Sequence, residues 1–201
     1  MTFTPDQGLV NDPNVQFATS LPESLGRRVS FTVPAGGQSA VFGGAPAIGF
    51  QSGTVAGTIL FSAVFDRNGV DITPTDPPEQ STTVPASPPS ITAVLVESVT
   101  PSGFTVVVSG FSTTREITQA TFRFTGRSGI QVQPSSVSPA GIGEAFADWY
   151  EARAEQSQPF GSLFTLEVPF TIGGEQNAIA SVSVTLSNSQ GASEAASANV
   201  P

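Results

Sequence analysis

The sequence predicts an all-β protein of two antiparallel β-sandwich domains, with one short helix in the second. Three observations predict it. Apolar residues recur at every second position through most of the chain, as half-buried strands require. Gly, Pro and Asn-Gly turn signals separate those runs. Residues 73–90, TPTDPPEQSTTVPASPPS, hold six of the 17 prolines and no aromatic residue, with alternating sequence on both sides. Proline fixes φ and has no N–H to donate, so residues 86–90 read as a stiff linker between a domain at 1–85 and a second at 91–201. Residues 85–89 would span on the order of 15 Å at the polyproline rise.

Composition narrows the chemistry. At 201 residues each half can bury a core of its own. The 15 Phe supply most of its bulk. Only 11% of residues are charged, the formal net charge is −9, and all seven basic residues are Arg. That sign disfavours nucleic acid and anionic membrane surfaces as partners. With no His and no Cys, Ser-His-Asp and Cys-His catalysis and ordinary zinc sites are excluded. Without Lys there is no Schiff base. No cofactor and no enzymatic activity are expected. No run approaches the ~20 apolar residues that span a bilayer. No basic-then-apolar leader follows Met1, so an upstream region or leader is expected.

Taken in order, residues 1–4 form a lone strand (Met1, Thr2, Phe3, Thr4), and Pro5, Gly8 and Pro13 then break the pattern. Residues 1–13 thus read as a strand and tether able to pair at home or with a neighbour. Residues 15–18 are a short strand. Residues 27–33 place Val29, Phe31 and Val33 on one face, and Gly36-Gly37 turns the chain back into 40–42. Residues 48–51 follow. Residues 54–65 are the longest strand candidate. Leu60 and Val64 lie on its second face, as apolar surface for a partner to cover. Asn68-Gly69 predicts a type I′ hairpin. Residues 81–84 close the first domain.

The second domain begins with strands at 91–96, 103–110 and 117–125. In 163–172, Phe164, Leu166, Val168, Phe170 and Ile172 share a face, while Pro169 on the other face marks an edge or bulged strand. Strands at 180–186 and 195–200 complete it. Residues 142–155 break the rhythm, with Phe146, Trp149, Tyr150 and Arg153 at helical spacing, and read as one amphipathic helix bridging the two sheets or lying over one end. The strand and Gly-Gly turn at 29–40 weakly repeat at 168–178.

Several groups have residue types that suit a site. Asp66 to Asp71 faintly follow an acidic calcium loop but lack its ligand spacing, and a hairpin tip explains them. Glu144 and Asp148, one helical turn apart, have the makings of a carboxylate pair; a solvated helix face is the plainer reading. Trp149 and Tyr150 suit a sugar-stacking platform, a core anchor or an interface. Arg27 and Arg28 read as an exposed strand start, and Asp76 and Glu79 as solvated. The Ser/Thr/Pro cluster is open to O-linked sugars.

Residues 31–36 (FTVPAG), 50–59 (FQSGTVAGTI) and 111–122 (FSTTREITQATF) resemble tandem immunoglobulin-like modules of large exported proteins of environmental bacteria. The resemblance covers nearly the whole chain and carries no catalytic residues. It implies two immunoglobulin-like sandwiches and a place outside the cell, at the cell surface. More loosely, the chain is similar to subunits of extracellular filaments in which one copy's strand completes the next. The expected role is therefore a structural subunit that self-assembles by β-strand addition, with copies of itself as partners. A tandem spacer or adhesion module, or a carbohydrate-binding module for surface glycans, is the alternative. Candidate interface residues are Met1, Thr2, Phe3, Thr4, Leu60, Val64, Trp149 and Tyr150.

Overall fold

A computed structural model describes residues 1–19, 26–77, 79–173 and 178–201. The chain is mostly β, arranged as several antiparallel sheets with short helical turns. Its N-terminal part carries β1 (Thr2–Pro5), β2 (Val15–Ala18), β3 (Gly49–Ser52), β4 (Gly57–Phe61), β5 (Asp66–Arg67), β6 (Val70–Asp71) and β7 (Gln80–Val84). β4 is the centre of a three-stranded sheet in the order β1-β4-β7, while β2 pairs with β3 and β5 with β6. Phe3, Val15, Val55 and Ile59 make a small core, with Met1, Leu9, Phe61 and Val84 packed against it.

Two expectations for this part are corrected. The strand expected over 54–65 is shorter, ending at Phe61. Beyond it, the Phe65 N–H is satisfied by the Thr73 hydroxyl at 2.8 Å, and Ile72 N–H donates to the Phe65 carbonyl at 2.9 Å. A local arm thus replaces the ladder, and Val64 is left 72% exposed. The hairpin expected over 27–42 is reduced to isolated bridges, Thr32 to Val41 and Phe42 to Ala45. Val33 is 45% exposed, and Phe31 packs on Phe42 and Phe65, with ring centroids 6.0 and 5.6 Å apart. The Asn68-Gly69 turn forms as expected, with φ of 53° and 81°. Those two left-handed residues define a type I′ turn.

The C-terminal part is more regular. It comprises β8 (Ser90–Thr100), β9 (Gly103–Phe111), β10 (Gln119–Gly126), β11 (Ser136–Val137), α1 (Ile142–Ala147), α2 (Ala154–Ser157), β12 (Leu163–Thr171), β13 (Ile179–Asn188), β14 (Gly191–Ala192) and β15 (Ala196–Asn199). One sheet runs β12-β9-β8; the other runs β11-β10-β13-β14, with β15 also on β13. Both contribute to one core: Val106 and Val108 from the first, Phe122, Val182, Val184 and Leu186 from the second. Phe170 ties the sheets together, lying 5.0 Å from both Phe122 and Phe124 and 6.0 Å from Phe104. The burial of β12 alternates residue by residue, as its sequence demands.

Pro169 sits on an edge strand, as expected, opposite Thr105. The Ile172 N–H donates to Ser102 O at 2.9 Å, which places the even-numbered residues of β12 in the hydrogen-bonded pairs. Position 169 therefore turns its missing N–H away from β9, where the ladder loses nothing. The helix expected over 142–155 is broken into α1, a wider π turn at Asp148–Ala152, α2, and a 3₁₀ turn at Gln158–Phe160. The Arg153 N–H reaches back to Asp148 O across the π turn.

The two cores share no residue. The Pro-rich stretch between them is tied down at Ser87, whose N–H donates to Thr113 Oγ1 and whose carbonyl accepts from Asn188 Nδ2, both at 2.9 Å. Pro78 within that stretch, and Gly174 of the second Gly-Gly turn, lie outside the described residues. Phe122 is wholly enclosed between the two sheets. Phe122→Ala should therefore lower stability by about 3–5 kcal/mol, measured as a shift of the urea midpoint monitored by circular dichroism.

Candidate functional site: a strand slot, a polar joint and an aromatic groove

The residues expected at an interface fall into separate places. Thr2–Thr4 belong to β1, with Met1 just before it, and β1 pairs within its own chain: Thr2 opposite Leu60, Phe3 opposite Ile59, Thr4 opposite Thr58. Phe3 is its buried anchor, 5% exposed. Its ring lies over Gly57; a Cβ there would come within 2.7 Å of Phe3 Cε2 and 2.5 Å of the Thr4 carbonyl. Glycine at 57 is thus what opens the slot that β1 fills. Leu60 is half-buried in β4, whereas Val64 lies past the strand's end.

Arg27 is a clamp behind this slot, where the sequence reads as an exposed strand start. Its guanidinium donates to Val15 O at 3.0 Å, Asp12 O at 2.6 Å and Asn11 Oδ1 at 2.8 Å. It also sits 5.8 Å from the centroid of the Phe3 ring. The terminal ammonium of Met1 donates to the Arg27 carbonyl at 3.1 Å. Partial burial, and then the charges of Arg27 and Arg28, hold that amine below its ordinary pKa of 8.0. Folding thus disfavours its charged form, and β1 docks more firmly as pH rises through the window below 8.0, where the amine discharges in the folded chain first.

Where the two parts meet, a polar joint has formed that the sequence does not announce. Asp12 is fully buried. Its Oδ1 accepts from Asn14 N at 2.8 Å; its Oδ2 accepts from Thr54 N at 2.5 Å, Val55 N at 3.1 Å and the Thr54 hydroxyl at 3.2 Å. Thr54 then bridges to the C-terminal part. Its hydroxyl accepts from Ser162 N at 3.0 Å, and its carbonyl accepts the Ser162 hydroxyl at 2.7 Å. Ala56 N–H donates to Thr113 O at 2.8 Å beside this. Gly161 makes the close approach possible: its φ is +63°, and a Cβ would lie 2.8 Å from both Asp12 oxygens.

Arg115 is the buried cation of the joint, 6% exposed. It donates to the carbonyl of Gly161, to the Tyr150 carbonyl at 3.1 Å and to Ser157 Oγ at 2.7 Å. Its guanidinium lies 4.6 Å from the centroid of the Tyr150 ring. Burial lowers its pKa, while Tyr150 and Asp12 favour the charge. The Tyr150 hydroxyl donates to Ser162 O at 2.6 Å, and burial raises its pKa against the opposing effect of Arg115.

Trp149 and Tyr150 are therefore not one platform. Tyr150 points into the joint. Trp149 lines an open groove of about 640 Å³ between the helical segment and β12, 6.2 Å from the ring of Phe160. Asp148 and Arg153 form an ion pair of 2.9 Å at the same groove. The carboxylate of Asp148 is thereby engaged by Arg153. Among the described residues no three His, Cys, Asp or Glu side chains gather to hold a metal, and no helix is long and apolar enough to cross a membrane. Asp66 caps its own hairpin by accepting from Gly69 N at 3.0 Å.

Replacing Asp12 by Ala strips buried N–H donors of their acceptor. The variant should lose about 3 kcal/mol or more in urea denaturation. Gly161→Ala should be destabilised in the same assay, since Cβ meets both strain and the Asp12 carboxylate. Raising the pH from 6 to 8.5 should slow amide exchange in β1, measured after correction for intrinsic rates, and N-terminal acetylation should abolish that pH dependence. Comparison with family models, curated proteins and solved structures finds no match for this chain.

Proposed function

We propose that the chain is a structural subunit of an extracellular filament or surface assembly, built from immunoglobulin-like modules and joined by exchange of β1 between copies. The immunoglobulin-like reading is supported in the C-terminal part by strand order. Its first, second and fifth strands make one sheet, and its third, fourth, sixth, seventh and eighth the other.

The observation that carries the exchange reading is the way β1 is held. A ladder of four residues, one buried side chain and the Arg27 clamp fix it in a slot, at the edge of a three-stranded sheet. Every one of those contacts can be remade with a second copy, so exchange costs little at equilibrium. Asp12 is locked in the joint, which leaves Asp6–Asn11 as the tether. Fully extended, that segment reaches roughly 20 Å, enough to hand β1 to an adjoining copy. The slot then supplies unpaired backbone groups and a pocket for one aromatic side chain, the two components of strand addition.

A rigid tandem spacer in a larger surface protein is the second reading. The joint at Asp12, Thr54 and Ser162 favours it, because it braces the two parts against each other.

The absence of Cys allows a direct test. Thr2 and Leu60 are register partners. Thr2→Cys protein mixed with Leu60→Cys protein at high concentration should form disulfide-linked pairs between copies. A double variant, closed within one chain, should stay monomeric where the wild type assembles. Sedimentation and electron microscopy read the outcome. A wild type that stays monomeric at millimolar concentration, with no disulfide formed between the two single-cysteine variants, selects the spacer.

A further inference from the structure

Beyond assembly, we infer that the groove between Trp149 and β12 binds a neutral pyranose ring of a polysaccharide. Its volume, about 640 Å³, falls within the range of small-molecule sites. Trp149 and Phe160 form an aromatic corner, their planes inclined by 36°. Phe160 is 54% exposed and Leu163 41%, so the corner faces solvent.

The lining selects the class of ligand. Its ionisable residues are Asp148 and Arg153, which neutralise one another at 2.9 Å. A charged ligand would find no unmatched counter-charge, and a neutral one would find no repulsion. A purely apolar ligand would leave the polar side of the groove unused. Thr92, Ser109 and Thr165 also line the groove, the Thr92 hydroxyl donating to the Ser109 carbonyl at 3.1 Å. Arg153 gives Asp148 its Nε, so its remaining N–H groups and the second Asp148 oxygen are a donor and acceptor set for adjacent hydroxyls. A pyranose matches both sides: its C–H face lies on an electron-rich aromatic face, and its hydroxyls meet the rim.

The groove is also held in shape. Phe146 packs edge-on to Phe164 at 5.0 Å, and Tyr150 anchors the next turn in the joint. A site built in advance does not lose its binding energy to ordering. Tyr150 contributes this anchoring and no contact with the sugar.

Trp149 is the single tryptophan, so its fluorescence reports occupancy directly. Titration with cellohexaose, xylohexaose and maltohexaose should give a saturable change in emission with at least one of them. By calorimetry, Phe160→Ala and Arg153→Ala should each weaken that binding at least tenfold. Both side chains are exposed, so thermal unfolding should be unchanged in these variants, whereas Trp149→Ala also removes packing against the core. The inference is overturned if none of the three saccharides gives a saturable change. It is equally overturned if both exposed variants bind like the wild type, or if anilinonaphthalene sulfonate occupies the groove while the saccharides do not. None of these outcomes bears on strand exchange, which is read from the disulfides.

Discussion

The carboxylate of Asp12 is the constraint on which the rest of the structure leans. A buried charge is tolerated only when its lone pairs are met by donors. Here the donors come from the adjoining turn and from residues 54 and 55 at the foot of β4. Satisfying one side chain thereby fixes where β2 begins, where β4 begins and how the chain enters its sheet. Thr54 passes the constraint on to Ser162, and Gly161 lets the two backbones approach. Arg115 lies on the far side of Gly161, so both buried charges act on the same peptide group's neighbourhood.

That arrangement separates what the joint holds directly from what lies outside it. The helical segment is fixed, because Arg115 holds the carbonyl of Tyr150 in its π turn and that of Gly161 just past its end. The groove inherits its rigidity. β1 lies on the N-terminal side of Asp12 and is held by a four-residue ladder, by Phe3 and by Arg27. Among the described residues the N-terminal core has four buried members, so removing one of them removes much of it. An edge strand with so few ties is where backbone pairing between copies is least costly to begin.

Much of the fold was legible in the residues. The alternation at 163–172 reproduces itself in burial, and Pro169 sits at the edge its chemistry required. Asn68-Gly69 turns as its left-handed preference dictates. The extended strand at 54–65 and the hairpin at 27–42 failed for a common reason: alternation states that a segment has two unlike faces, and it does not state that a second layer exists to cover one. In the N-terminal part Phe31, Phe42 and Phe65 pack on one another at the surface instead. The site was less legible. Trp149 and Tyr150 are adjacent in the chain, yet the π turn sends one to the groove and the other to the joint. Phe160, Arg27, Arg115 and Asp12 carried no signal beyond their residue types.

What the sequence determined by itself is local: strand period, turn type, the position of a proline in a ladder, the absence of thiol, imidazole and amine chemistry. These depend on neighbours a few residues apart, whose geometry covalent bonds already restrict. The tertiary structure decided the rest. Asp12 meets Thr54, Thr54 meets Ser162, and Arg115 meets Tyr150 across loops whose paths no local preference sets. Whether a charge is buried, and what answers it, depends on which distant segments arrive beside it.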